Sequence, residues 1–304
     1  MQSDLFETDQ SVSDASEVPE AVTKITTPPE AGVVFEGSVS KMRVRLAEPV
    51  QYSLGDVSVN RLIGSNLKLT YKGSINCISC GSLTNKSFSQ GYCYRCFTTK
   101  AACDSCIMSP EKCHFDQNTC REPEWGDRFC MQSHYVYLAN SSGIKVGITR
   151  GTQVPTRWID QGACQALAIY RTNNRHMSGL IEVVMKQHVA DKTNWRTMLK
   201  GEPEVLDLTI IRDRLFEETK EEIKSLTDRY GLNSMQPLLH ADTVNISYPV
   251  RNYLEKISSF NFDKDPIVEG KLEGIKGQYL IFDSGVINLR RFTGYQIAVE
   301  VLDK

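Results

Sequence analysis

The sequence lacks any run of 18 apolar residues, and its N-terminus has no basic segment followed by an apolar one. The first absence argues against a membrane-spanning helix, and the second argues against a secretory signal peptide. The formal net charge is only −2 over 304 residues, so the chain as a whole is neither strongly basic nor strongly acidic. We therefore expect a cytoplasmic protein without a membrane partner, long enough to form two or more domains.

Cysteine, in contrast, is concentrated in one part of the chain, with eight of the ten cysteines between Cys77 and Cys120. Cys77 and Cys80 form one Cys-x-x-Cys pair, and Cys93 and Cys96 form a second pair twelve residues later. Four thiolates at this spacing can surround one tetrahedral zinc ion, because each pair places two sulfurs about 2.3 Å from the metal. In a protein that is not secreted, this pattern favours metal binding over disulfides, the alternative.

A second cysteine cluster follows directly and predicts a second structural zinc ion. Cys103, Cys106 and Cys120 are its expected core ligands, and Cys113 competes with His114 for the fourth position. Two residues further along the chain could replace one of these ligands, so the full set of candidates is Cys103, Cys106, Cys113, His114, Cys120, Cys130 and His134. An iron–sulfur cluster is the alternative occupant, because four cysteines also hold iron.

The pattern of apolar, polar and glycine residues predicts an α+β protein in five segments. We expect a cysteine-rich zinc-knuckle region joined to a small α/β domain and to flanking antiparallel β elements. N-terminal and C-terminal strands could share one sheet. The segments are a disordered acidic tail (1–32), a β-rich segment (33–75), the zinc-binding region (76–133), the α/β domain (134–204) and a C-terminal segment (205–304). The C-terminal segment consists of a helix over 208–230 followed by a β-rich part.

The sequence of the fourth segment predicts closely spaced strands and helices, and the segment carries an excess of positive charge. Residues 140–201 contain nine Lys or Arg against three acidic residues, which is typical of a phosphate-binding face, although a solvated helical surface is the alternative. The predicted elements are strands over His134–Ala139 and Ile144–Thr149, a helix over Pro155–Gln161, a strand over Ala166–Arg171, a helix over 176–191 and a short helix over Trp195–Leu199.

This order of elements, together with particular residues, resembles the GIY-YIG nuclease domain. The first family motif resembles Tyr135-Val136-Tyr137, and the second resembles Lys145-Val146-Gly147, in which lysine replaces the tyrosine. Arg157 corresponds to the arginine on the first helix, Glu182 to the metal-binding glutamate and Asn194 to the later asparagine. The whole chain is also similar to an uncharacterised bacterial family of zinc-containing proteins with this domain.

The resemblance implies a metal-dependent endonuclease that hydrolyses phosphodiester bonds in nucleic acid, with DNA as the expected substrate. Tyr137 would accept a proton from the attacking water, with its pKa lowered by Lys145. Arg157 would hold the phosphate, Glu182 would bind Mg²⁺ or Mn²⁺, and Asn194 would orient Glu182 or the substrate. The alternative is a non-catalytic, zinc-containing nucleic-acid-binding protein that retains the fold.

Each of these residues also has a purely structural interpretation. Tyr137 could be a core aromatic residue, Arg157 could form a surface ion pair, and Glu182 could pair with Lys186 four residues later. The tail carries one further motif, because Gln2-Ser3-Asp4-Leu5-Phe6 resembles the short peptide by which bacterial DNA enzymes bind the sliding clamp. A sliding clamp is thus an expected partner, and an ordinary tail is the alternative.

Overall fold

A computed structural model describes residues 30–189 and 194–302. Helices and strands both contribute, which confirms the predicted α+β class. In the described part of the chain, every helix is too short or too polar to cross a membrane. The clamp-like peptide over Gln2–Phe6 and nearly all of the predicted acidic tail lie outside the described residues.

Strands are labelled β1 to β15 and helices α1 to α7 in chain order. The strands are β1 (Gly32–Ser38), β2 (Arg43–Arg45), β3 (Gln51–Leu54), β4 (Val57–Ser58), β5 (Asn66–Asn76), β6 (Leu83–Thr84), β7 (His134–Asn140), β8 (Ile144–Arg150), β9 (Gln165–Thr172), β10 (Met235–Pro237), β11 (Val244–Asn245), β12 (Ile267–Lys276), β13 (Tyr279–Phe282), β14 (Val286–Asn288) and β15 (Tyr295–Val301). The helices are α1 (Tyr94–Thr99), α2 (Pro123–Phe129), α3 (Thr156–Asp160), α4 (Arg175–Met185), α5 (Trp195–Met198), α6 (Leu208–Glu218) and α7 (Lys220–Tyr230).

The first and last strands share one antiparallel sheet, as the sequence suggested. Its order is β1-β15-β5-β12-β13-β14, with β6 on the end of β5. Leu67, Leu69, Ile297 and Val299 alternate along neighbouring strands and are almost fully buried on one face of this sheet. The strands that precede and follow the middle of the chain therefore build one structural unit, the terminal β unit.

The middle of the chain forms a second sheet of order β10-β9-β7-β8, with β11 also pairing with β9. Strand β7 lies between β8 and β9 and pairs antiparallel with both. One face, through Val136 and Leu138, packs with Ile181 of α4. The other face, through Tyr137 and Ala139, joins the core of the terminal β unit. The strand is therefore buried on both faces.

Helix α4 begins as a capped helix should, because the Asn174 side chain accepts a hydrogen bond from the backbone N–H of Met177. It ends at Met185, earlier than predicted. The prediction of one helix over 208–230 is wrong, because α6 and α7 are separated at the fully buried Thr219. The Thr219 hydroxyl donates to the carbonyl of Leu215 at 2.7 Å, a contact that bends helices.

Candidate functional site

The first cysteine group has the geometry of a closed metal centre. The sulfurs of Cys77, Cys80, Cys93 and Cys96 all lie within 4.8 Å of one another, and those of Cys80 and Cys93 are 3.8 Å apart. Four sulfurs at about 2.3 Å from one tetrahedral zinc ion would themselves be about 3.8 Å apart. The group is therefore compatible with a structural zinc site.

Local backbone geometry brings the first pair of cysteines together. Cys77 directly follows β5, and its carbonyl accepts a hydrogen bond from the N–H of Gly81 at 2.8 Å. Gly81 has φ of +74°, which a residue with a side chain rarely adopts. Hydrogen bonds from Ser82 lower the pKa of the Cys80 thiol to about 6. Cys80 is thus largely thiolate at neutral pH, the form that binds metals.

The second group of candidate ligands divides between different places. Cys106, Cys113, Cys120 and Cys130 line one small cavity of about 10 Å³, together with His114. Cys103 instead has Ser89 as a side-chain hydrogen-bond partner, in the part of the region next to the first metal centre. Cys130, which the sequence offered as a possible replacement ligand, therefore lines the same cavity as Cys106, Cys113 and Cys120, and Cys103 does not.

The two histidines among the candidates have other partners. His114 lies 2.7 Å from the Thr119 hydroxyl through Nδ1 and 3.5 Å from the Asp104 carboxylate through Nε2. The Asp104 carboxylate, the Cys106 sulfur and the His114 ring do lie within 4.8 Å of one another, but Asp104 is also paired with Arg121 at 2.9 Å. His134 lines a different cavity, and burial lowers its pKa to about 4.

That second cavity is an open cleft of about 590 Å³ between the zinc-binding region, the terminal β unit and the sheet that contains β7, which we call the central sheet. Among the described residues, seven cationic side chains line it, against two carboxylates, Asp160 and Glu182. Asp160 is already neutralised, because Lys41 lies 2.9 Å from one oxygen and Gln278 donates to the other at 2.8 Å. The cations are Lys41, Lys145, Arg150, Arg157, Arg175, Lys186 and Arg290. We call this cavity the basic cleft.

Three of the predicted catalytic residues, Lys145, Arg157 and Glu182, line the basic cleft together. Lys145 is only 6% exposed, and burial, reinforced by the nearby Arg157 guanidinium, lowers its pKa to about 8. Glu182 is 9% exposed, and burial raises its pKa, although Lys186 and Arg175 oppose this. The Lys186 ammonium lies 3.6 Å from a Glu182 oxygen, so the ion pair suggested by their spacing is present.

Tyr137 lies below the floor of the cleft and is fully buried, which is the core position allowed as its alternative. Its hydroxyl donates to the side-chain oxygen of Gln161 at 2.9 Å. Burial raises the pKa of Tyr137, and Arg157, rather than the expected Lys145, is the cation that partly opposes the rise. The ring also explains the glycine of the second motif, because a Cβ on Gly147 would lie 2.7 Å from Tyr137.

Asn194, like Tyr137, does not line the basic cleft. Its side-chain oxygen accepts hydrogen bonds from the backbone N–H groups of Arg196 and Thr197, at 3.1 and 3.2 Å. Its own N–H donates to the Ser142 hydroxyl at 2.9 Å, at the turn between β7 and β8. Asn194 therefore serves as the N-cap of α5, a role typical of Asn immediately before a helix.

Sequence reasoning did not single out several residues of the cleft as site residues. Arg175 joins the central sheet to the zinc-binding region, because its guanidinium donates to the carbonyl of Ile107 at 2.7 Å and its N–H donates to that of Cys130. Its place in the basic segment was a detectable signal. Lys41 and Arg290 come from opposite ends of the chain, and no local pattern links them to the cleft.

The fold and the site together define an α+β protein with a four-cysteine centre and a cleft lined mainly by cations. The model of a family described as proteins of unknown function, DUF2797, matches residues 64–297. This match covers well over half of the chain, so the chain belongs to the DUF2797 family. No curated protein and no solved structure matches it. The matched region includes both cysteine clusters and the predicted catalytic residues from Tyr137 to Asn194.

Proposed function

We propose that this protein is a metal-dependent endonuclease that hydrolyses phosphodiester bonds of nucleic acid, with DNA as the expected substrate. The observation that carries the proposal is the basic cleft in which Lys145, Arg157 and Glu182 meet. The order β7-β8-α3-β9-α4, with β7 in the centre of the sheet, supports a GIY-YIG-like domain over 134–204. The zinc-binding region would form one wall of the cleft and position the substrate.

The electrostatics of the cleft favour a polyanion. Seven cations against two carboxylates give the lining an excess of positive charge, and the Asp160 carboxylate is already paired with Lys41. Arg157 reaches this space from α3 and can hold a phosphate through two parallel N–H groups. Binding should therefore release counterions and weaken as salt rises.

Lys145 is better suited than Tyr137 to accept the proton of the attacking water. A group works best as a general base when its pKa is close to the operating pH, and that of Lys145 is about 8. Tyr137 is fully buried, its pKa is raised and its proton is directed at Gln161. We therefore assign proton transfer to Lys145 and a positioning role to Tyr137, which reverses the roles implied by the resemblance.

Glu182 is the carboxylate that could hold Mg²⁺ or Mn²⁺ at the cleft. Hard divalent ions take oxygen ligands and retain several waters, so a single carboxylate is a sufficient protein ligand. When bound, such an ion supplies positive charge for the oxygen on the departing side of the phosphate. Asp160 is less suited, because both of its oxygens already have protein partners.

The test is Glu182→Gln, which keeps the shape of the side chain and removes its charge. Labelled nucleic acids should be bound as well as by the parent, or more tightly, while Mg²⁺- or Mn²⁺-dependent cleavage is lost. Glu255→Gln, an exposed glutamate far along the chain, is the matched control and should cleave normally. Cleavage by Glu182→Gln at the parental rate would refute the role of Glu182.

A non-catalytic nucleic-acid-binding protein is the second candidate function, and the ion pair between Lys186 and Glu182 favours it. A carboxylate that is committed to a lysine is less available to a metal ion. This candidate predicts that the parent binds nucleic acid in a salt-sensitive manner and that Arg157→Ala weakens binding. It also predicts that no member of a panel of duplex, single-stranded and branched DNA and RNA is cleaved with Mg²⁺ or Mn²⁺.

Zinc in both cysteine groups is the second part of the proposal. For the second ion we propose Cys106, Cys113, Cys120 and Cys130 as ligands, because they line one cavity and the other candidate there, His114, is engaged by Thr119 and Asp104. Such thiolate centres suit a reducing cytoplasm. Purified protein should contain two zinc ions per chain, and Cys106→Ser should lower the zinc content to one. Cys103→Ser is the control and should retain both ions; stoichiometric iron, or loss of an ion from Cys103→Ser, would contradict this assignment.

The sliding clamp remains a proposed partner through Gln2–Phe6, on the strength of the motif alone. Deleting residues 2–6 should abolish capture by a bacterial clamp without changing the thermal stability of the protein. Undiminished capture by the truncated protein would discard the motif.

A further inference from the structure

One part of the basic cleft is apolar and aromatic rather than charged. Trp125 and Phe129 lie four residues apart on α2, with ring centroids 4.7 Å apart, and both line the cleft. Ile107 and Met108 continue the same lining, and Met108 is 85% exposed. We call these four residues the aromatic wall.

The aromatic wall lies directly beside the cations of the cleft. The Arg150 guanidinium lies over the Phe129 ring, 4.6 Å from its centroid, and Arg150 itself lines the cleft. Trp125 is only partly buried, and the Met108 side chain is almost fully open to solvent. A side chain as exposed as Met108 contributes little to the core of its own region, so packing within this region does not explain why Met108 is apolar.

A phosphate backbone accounts for the cations but not for the wall. In a duplex the flat faces of the bases are hidden in the stack, and only their edges are presented in the grooves. An unpaired base exposes both faces, which stack on aromatic side chains whatever the base is. Cations beside an aromatic surface are thus the combination found where proteins bind single-stranded nucleic acid.

We propose that the basic cleft binds nucleic acid at an unpaired stretch, with a base stacked against Trp125 and Met108 and the adjoining phosphates held by Arg150 and Arg157. This inference rests on the proposed function for its polymer and adds the substrate class, namely single-stranded, gapped or branched nucleic acid rather than continuous duplex. Phe129, already covered by Arg150, would support the stack rather than supply its face.

The experiment compares affinities by fluorescence anisotropy, in low salt without divalent ions, for a 12-nucleotide single strand, its blunt duplex, and a duplex with a four-nucleotide gap. The parent should bind the single strand and the gap at least tenfold more tightly than the blunt duplex. Trp125→Leu, which keeps an apolar side chain but removes the ring face, should weaken single-strand binding by between about 5-fold and 150-fold, and duplex binding hardly at all. An RNA strand of the same sequence tests whether the preference extends to RNA.

Two further variants test whether the effect of Trp125→Leu comes from altered folding or from the loss of any aromatic residue in this region. Met108→Ser alters a residue too exposed to affect folding and should also weaken single-strand binding selectively. Tyr94→Leu is the matched control, because Tyr94 is an aromatic residue of the same region, 65% exposed, that does not line the cleft. It should bind all three oligonucleotides as the parent does.

The outcomes separate this inference from the proposed function. Equal parental affinity for single strand and duplex, or equal weakening of both by Trp125→Leu, would overturn the inference while leaving nucleic-acid binding in place. No salt-sensitive binding to any oligonucleotide would overturn the proposed function itself. Displacement of the oligonucleotide by vesicles of anionic phospholipid, but not by excess unlabelled single strand, would show that the wall takes acyl chains and would also overturn the inference.

Discussion

Gly147→Ala offers the most direct test of how the Lys145-Val146-Gly147 motif is packed. A methyl group on Gly147 would lie 2.7 Å from both Cζ and the hydroxyl oxygen of Tyr137, whereas ordinary contacts of this kind are 3.4–4 Å. The Tyr137 ring has little room to move, because it is fully buried, packs edge-on against Trp158 and is tied to Gln161. The ring or the strand must therefore shift by more than half an ångström, roughly the scale at which overpacking costs about 1–3 kcal/mol.

Thermal unfolding of the metal-loaded protein measures this cost. We expect Tm to fall by about 2–12 °C, since about 1 kcal/mol lowers the Tm of a large domain by roughly 2–4 °C. Gly201→Ala is the control, because a Cβ on Gly201 meets nothing within 4 Å, and its Tm should be nearly unchanged. Glycine-to-alanine replacement is thus compared at a crowded and at an open position of the same protein.

A double-mutant cycle makes the reasoning refutable in detail. Tyr137→Leu removes both atoms that the new methyl group would strike, so Gly147→Ala should cost much less in the Tyr137→Leu background than in the parent. If Gly147→Ala leaves Tm unchanged, or if its cost is the same in both backgrounds, the Tyr137 ring does not lie on Gly147 and the packing described for the cleft floor is wrong.

Three further predictions address the metal centres, the base and the helix cap. Removing metal with a strong chelator should unfold residues 76–133 before the rest of the chain, because this region has few apolar residues of its own; unchanged circular dichroism and proteolysis after complete removal would contradict a structural role. The rate of cleavage should increase as the pH rises through about 8, because Lys145 loses its proton there. Lys145→Arg should abolish activity and with it this increase. A variant that cleaves with the pH profile of the parent would exclude Lys145 as the base. Asn194→Ala should lower stability by about 1 kcal/mol, as loss of an N-cap does, without changing cleavage; a large fall in cleavage at unchanged stability would return Asn194 to the catalytic site.

Local patterns predicted the elements around the site well, since each depends on residues close together in the chain. The alternation and turn over His134–Arg150 indicated the hairpin of β7 and β8, and the apolar stripe around Ile181 indicated α4. The two Cys-x-x-Cys pairs indicated the first metal centre for the same reason, because a short turn alone brings each pair together. Elements and ligands that depend on a short sequence pattern could therefore be predicted from the sequence.

Other features depended on burial, which no local pattern reveals. The fully buried Thr219 separates α6 from α7 in what reads from the sequence as one amphipathic helix. The opposite pKa shifts of Tyr137 and Lys145 follow from desolvation, because the same burial raises the pKa of a phenol and lowers that of an ammonium. Both residues were recognised from the sequence, but their protonation was set by the packing around them.

The sequence by itself determined the α+β class, the first cysteine centre and the residues Lys145, Arg157 and Glu182 of the basic cleft. Only the tertiary structure decided that Cys130 lines one cavity with Cys106, Cys113 and Cys120, that Asn194 caps α5, and that Lys41 and Arg290 reach the cleft. The physical reason is the range of the interactions. Turn geometry and helical periodicity act over a few residues, whereas the walls of the cleft are segments more than two hundred residues apart in the chain that meet because they bury apolar surface in one core.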